Sequence, residues 1–181
     1  MDRLSFEEKG RELMDEKEIW KLVFEYGKDI LATESMKSER GFMQHGSVSV
    51  YRHSLNVAFA SLYLARKWKW RVNERTLVRG ALLHDYFLYD WHEPSEEHKW
   101  HGFIHAEIAL KNAVRDFNLN RVERDIIRTH MFPLNLRLPA YKESVLVCIA
   151  DKYCAAKETV LERKKACLLY TSPSPRDVEE S

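Results

Sequence analysis

Apolar residues in this chain recur at steps of three and four, and that period limits its fold more than any other feature. The clearest case is the stripe Val50, His53, Val57, Ala60 and Leu64, which predicts one face of a helix over Ser49–Trp68. Alternating apolar and polar runs, the mark of a half-buried strand, are scarce. Only six glycines and five prolines interrupt 181 residues. The expected fold class is therefore all-α: a compact single-domain bundle of six or seven helices, with short connections favouring antiparallel neighbours.

Punctuation places the remaining helices. Ser5 and Glu8 have capping-box spacing at the head of a helix to Tyr26. A short helix is expected over Thr33–Arg40, ending near Gly41. Asn73 caps a helix over Glu74–His84, and Asn120 caps one that ends at His130. Others are expected over Phe103–Phe117 and Lys142–Lys165, with Pro133 and Pro139 breaking the chain between the last two. Residues Tyr86–Trp100 read as a loop rich in aromatic and charged groups. The expected organisation is N-terminal helices over 1–45 packing on a main domain over 46–166, then a tail over 167–181. The tail begins CLLYTSPSPRD, where the composition turns abruptly to Ser and Pro, and it resembles the translation of a sequencing adapter. It is expected to be non-native, the other reading being a disordered Ser/Pro tail.

Composition removes several function classes. The formal net charge is +1, so there is no strong nucleic-acid signal and no bulk attraction to a membrane surface. The N-terminus lacks an apolar signal segment, and no apolar run approaches the length of a membrane span. Cys148, Cys154 and Cys167 form no CxxC pair and fit a reducing compartment, so the expected location is cytoplasmic. Trp20, Trp68, Trp70, Trp91 and Trp100 read as packing residues.

Histidine carries the functional signal. His84-Asp85 follows Ala81-Leu82-Leu83 at an expected helix end, where two adjacent side chains most easily reach one point. His53 lies on the inward stripe of its helix. Asp151 has Val147, Cys148, Cys154 and Ala155 three and four residues away, which puts it on a buried face. A buried carboxylate is costly unless it meets a partner or a cation. His53, His84, Asp85 and Asp151 are thus candidate metal ligands from three helices. Imidazole with carboxylate suits Mn, Fe, Co, Ni or Zn better than Ca.

The order His, His-Asp, Asp on a helical background resembles the HD superfamily of metal-dependent phosphohydrolases. The stretches that carry the resemblance are HSLNVA at 53–58, ALLHD at 81–85 and ADKYCA at 150–155. It implies one or two divalent ions, with Mg added to the metals above, and hydrolysis of a phosphate ester or anhydride in a small phosphorylated molecule, a nucleotide among them. In binuclear branches, histidines between the HD pair and the last Asp bind a second ion. His105 and His130 fill that interval, and Asp85 would bridge. The implied chemistry is attack on phosphorus by a metal-acidified water, with Asp85 orienting that water. Asp90 or His105 would act as general acid. Arg52, Lys152 and His101 are candidate phosphate contacts, although a solvated charge is the ordinary role of the first two and His101 reads as structural or substrate-facing. His45 reads equally as a rim residue or a loop histidine, and His92 and His98 as solvated.

The sequence also departs from the resemblance. Many hydrolytic members carry lysine where this chain has Leu88. Members that cleave cyclic dinucleotides carry a second histidine where it has Met131, and a GYP segment it lacks. Two rivals stay open: a non-catalytic HD-fold module that senses a ligand or binds a partner, and a di-iron oxygenase of HD type.

Overall fold

Four helices start on the side-chain caps that short polar residues provide, and these caps set most of the architecture. In a computed structural model of the chain, the backbone is described for residues 6–45, 48–88 and 101–171, and side chains for 16–43, 48–88 and 105–161. The order is α1 (Phe6–Tyr26), α2 (Lys28–Leu31), α3 (Glu34–Ser38), β1 (Met43–His45), β2 (Val48–Ser49), α4 (Val50–Lys67), α5 (Glu74–Leu83), α6 (His101–Asp116), α7 (Arg121–Thr129) and α8 (Lys142–Thr171). The protein is all-α apart from the small β1–β2 antiparallel pair.

Thr33, Ser49, Asn73 and Asn120 cap α3, α4, α5 and α7, each accepting a hydrogen bond from the backbone N–H three residues on. At Asn120 the Glu123 carboxylate returns the bond to the cap N–H, which completes a capping box. α4 ends with Lys69 in the left-handed region (φ 55°), and Trp70 N–H donates to Ala65 O at 2.9 Å. That closes the last turn in the way glycine usually allows.

The core sits where α4 and α5 pack together, α8 lies against α4, and α7 lies against both α5 and α8. α1 covers α4, and α6 leans on α7. Val57, Ala58, Leu62, Leu77, Leu82, Ile126, Leu146 and Val147 fill the interior. α5 is buried along most of its length. Gly80 permits this, because a Cβ there would collide with Ile126 of α7. Arg79, also buried, bonds Glu123 through Nε at 2.9 Å and pairs with Asp29 of α2. It joins α5 to α7 and to the short N-terminal helices.

The structure alters several sequence expectations. α2 and the β1–β2 pair were not expected, since both are too short to carry a period. α8 continues to Thr171, past the expected end at Lys165 and into the segment read as a tail. α6 begins at His101, two residues before Phe103. Ser5, Asp90, His92, His98 and most of the Tyr86–Trp100 loop lie outside the described residues, as do the side chains of His45 and His101.

Candidate metal centre

His84 is the residue at which α5 ends, and His130 is the residue at which α7 ends. The last carbonyls of a helix have no partner within it. Here each histidine supplies one. His84 Nδ1 donates to Ala81 O at 2.7 Å, and His130 Nδ1 donates to Ile127 O at 2.8 Å. Both bonds fix a proton on Nδ1 and turn Nε2 inward, the nitrogen through which each imidazole would bind a metal. His53 comes from the buried face of α4, and Asp151 from the face of α8 that packs on it.

These side chains converge on one place. The ligand atoms of His53, His84 and Asp151 lie within 4.8 Å of one another, and so do those of Asp85, His105 and His130. Asp85 connects the two trios. Its Oδ2 is 3.3 Å from His84 Nε2, while its Oδ1 is 3.3 Å from both His105 Nε2 and His130 Nε2. Asp151 Oδ1 is 3.1 Å from His53 Nε2 and 3.7 Å from His84 Nε2. His105 and His130 face each other through Nε2 at 2.9 Å. All six are buried; Asp151, 9% exposed, is the one nearest solvent.

Glu158, one residue of the centre, was not anticipated. It accepts from His53 Nδ1 at 2.9 Å and from Asn56 Nδ2 at 3.0 Å. Seven residues separate it from Asp151, two helical turns, so the two carboxylates share a face of α8 and hold the two nitrogens of one imidazole. That spacing was readable in the sequence. Behind the HD pair, Asn112 Nδ2 donates to the carbonyls of Tyr86 and Phe87, and Tyr86 Oη donates to Asp116 at 3.0 Å. α6 thereby fixes the segment that leaves Asp85.

Charge in the cluster is strongly coupled. Burial opposes the His53 cation, yet its bonds to Asp151 and Glu158 outweigh that and raise its pKa to about 9. Burial also opposes the charged forms of His84 and Asp85, but each holds the other ionised: His84 is raised well above the usual imidazole value, and Asp85 lies well below the carboxylate range. Burial likewise works against the Asp151 carboxylate, but the His53 bond and the nearby His84 cation keep it well below that range. His130 is lowered, chiefly by burial.

The residues present fit a cation. His84 Nε2 is fully buried and makes no hydrogen bond, with Asp85 Oδ2 at 3.3 Å and Asp151 Oδ1 at 3.7 Å. A buried ring nitrogen without a hydrogen bond, set beside carboxylates, is what a metal ion satisfies by displacing its proton.

Other sequence candidates sit elsewhere. Lys152 Nζ is held by the carbonyls of His130 (2.9 Å) and Cys148 (3.3 Å). Arg52 is exposed on α4 and lines an open groove of about 810 Å³ with Trp20, Asn56, Tyr153 and Lys157. This groove touches the centre through Glu158, so the buried donor set, and not the groove, marks the site. Leu88 has a left-handed backbone (φ 62°) and packs against the core.

The helical domain thus carries two linked His/Asp trios that could hold metal ions. Residues 50–156, more than half of the chain, match the family described as HD domain, and the chain belongs to that family. The family indicates the metal-dependent phosphohydrolase superfamily and binds divalent metals, although many HD proteins are non-catalytic. No curated protein and no solved structure matches the chain.

Proposed function

We propose that the chain hydrolyses a phosphate ester or anhydride of a small molecule, with a nucleotide as the first candidate. His53, His84, Asp85 and Asp151 would hold one divalent ion, and His105 and His130, with Asp85 shared, a second. The observation that carries this reading is Asp85, which turns one oxygen to each trio. When bound, divalent ions at such a site lower the pKa of water and stabilise charge on phosphoryl oxygens.

The chain's own groups do the rest. The Nδ1 bonds of His84 and His130 keep both rings in one tautomer and one orientation. Glu158 does the same for His53 from behind. Asp85 is the proposed group that orients the attacking water. For the leaving group, His105 and Asp90 remain the proposed acids; with His105 serving as a ligand, the role falls to Asp90. Arg52, Lys152 and His101 are the proposed phosphate contacts, and Lys152 would have to release its two carbonyls to serve.

The test is a screen of Mn-loaded protein against nucleoside mono-, di- and triphosphates and p-nitrophenyl phosphate. Metal-dependent phosphate release is expected, and Asp85→Ala should lower it roughly 100-fold or more. Nucleotide binding without turnover would replace this reading with a sensing or partner-binding module. Leu88, an apolar packed residue where many hydrolytic members carry lysine, is the observation favouring that second reading.

A further inference from the structure

Two divalent ions would bring four positive charges to a set whose carboxylates are Asp85 and Asp151, with Glu158 behind His53. A further buried carboxyl sits on the segment tied to the start of α4, the helix that carries His53. Glu39, the residue at which α3 ends, is fully buried. Neither of its carboxylate oxygens makes a hydrogen bond. Among the described residues no Lys or Arg pairs with it. The guanidinium of neighbouring Arg40 stacks 4.6 Å from the Tyr51 ring centroid instead. Its main-chain carbonyl accepts from Tyr51 N–H at 3.3 Å, which ties α3 to the first turn of α4, two residues before His53. Burial above all, and then the Asp85 charge, push its pKa well above the usual carboxylate value, while the His84 charge acts the other way.

A buried carboxyl with no donor on either oxygen stays protonated and ionises only when a cation faces it. Two serine hydroxyls, Ser54 and Ser61, are also buried without a bond, but they carry no charge. We propose that Glu39 belongs to the metal centre as an outer carboxylate, its charge offsetting that of ions held by the two His/Asp trios. This makes it a positioning residue, and it rests on the metal-centre reading above.

The experiment measures Mn²⁺ affinity of the metal-free protein by competition with a fluorescent chelator, alongside the thermal midpoint of the metal-free form. Glu39→Gln keeps shape and removes the charge. The expected result is a 10–100-fold weaker Mn²⁺ affinity with the metal-free midpoint unchanged. Glu39→Asp, which keeps the charge, should retain affinity within severalfold of the wild type. Unchanged Mn²⁺ affinity in Glu39→Gln overturns the proposal while leaving the metal centre in place. Wild-type protein that takes up no Mn²⁺ overturns the metal centre itself, and the role of Glu39 with it. Should Glu39→Gln fail to fold, Glu39→Met gives the same comparison with the same two outcomes.

Discussion

His53 shows how one side chain couples folding to metal binding. Without metal its two nitrogens face two carboxylates, Asp151 and Glu158, and the ring is held as a cation. Its folded pKa of about 9 lies above the unfolded 6.5. The stabilisation from its charge is therefore complete below about pH 6.5 and is lost as pH rises through about 9. For a fully buried ring the shift corresponds to roughly 3 kcal/mol. Urea unfolding of metal-free protein between pH 6.5 and 9.5 should show a fall of that order. Stability that stays level over this window would contradict the charged His53–carboxylate arrangement. A metal must displace the Nε2 proton, so Mn²⁺ affinity should rise over the same interval. His53, His84, Asp85 and Asp151 were readable from their order and from the apolar neighbours of Asp151. Glu39 was not, because nothing in a four- or five-residue helix tells which end group will be buried.

Helix ends explain the site at the next scale. α5 and α7 cross closely and finish side by side, each ending on a histidine whose ring takes the carbonyl three residues back. The close approach depends on Gly80. A Cβ added there would lie 3.0 and 3.1 Å from Ile126 Cγ2 and Cβ, besides colliding with its Cδ1, and a Cβ cannot swing aside. Gly80→Ala should therefore destabilise the protein by about 1–3 kcal/mol, despite the better helix propensity of alanine. Because the shift moves α5 against α7, Mn²⁺ affinity should fall as well. Chemical denaturation and chelator competition check both, and a stabilised variant with normal affinity would show that the two helix ends are not positioned through this contact. The long helices were legible because their caps and apolar stripes agree. α2 and the β1–β2 pair were not, since four residues or fewer hold neither a period nor a cap signature. The extension of α8 was missed because the change of composition at Cys167 was read as a boundary, and the helix runs past it.

At the scale of the molecule, five helices meet so that imidazoles from α4, α5, α6 and α7 and carboxylates from the α5 end and α8 enclose one volume. The HD match over 50–156 spans these elements and leaves α1, α2 and α3 outside. The N-terminal helices still contribute: α1 covers α4, Asp29 pairs with Arg79, and Glu39 is buried at the end of α3. The division at residue 45, with the N-terminal helices packing on the core, stays a proposal from the sequence. No helix among the described residues is long and apolar enough to cross a membrane. Substrate choice was not legible, because a set of metal ligands specifies an ion and a reaction class but not the group that carries the phosphate.

The decisive measurement is metal content. Protein loaded with Mn²⁺, desalted and analysed by elemental mass spectrometry should carry about two ions per chain, as a carboxylate shared between two ligand sets implies. His84→Ala should lose the ion shared with His53 and Asp151, and Asp85→Ala should lose both. Wild-type protein with no metal above background, or a His84→Ala variant that retains the full complement, would contradict the claim that these helix ends were brought together to hold a cation.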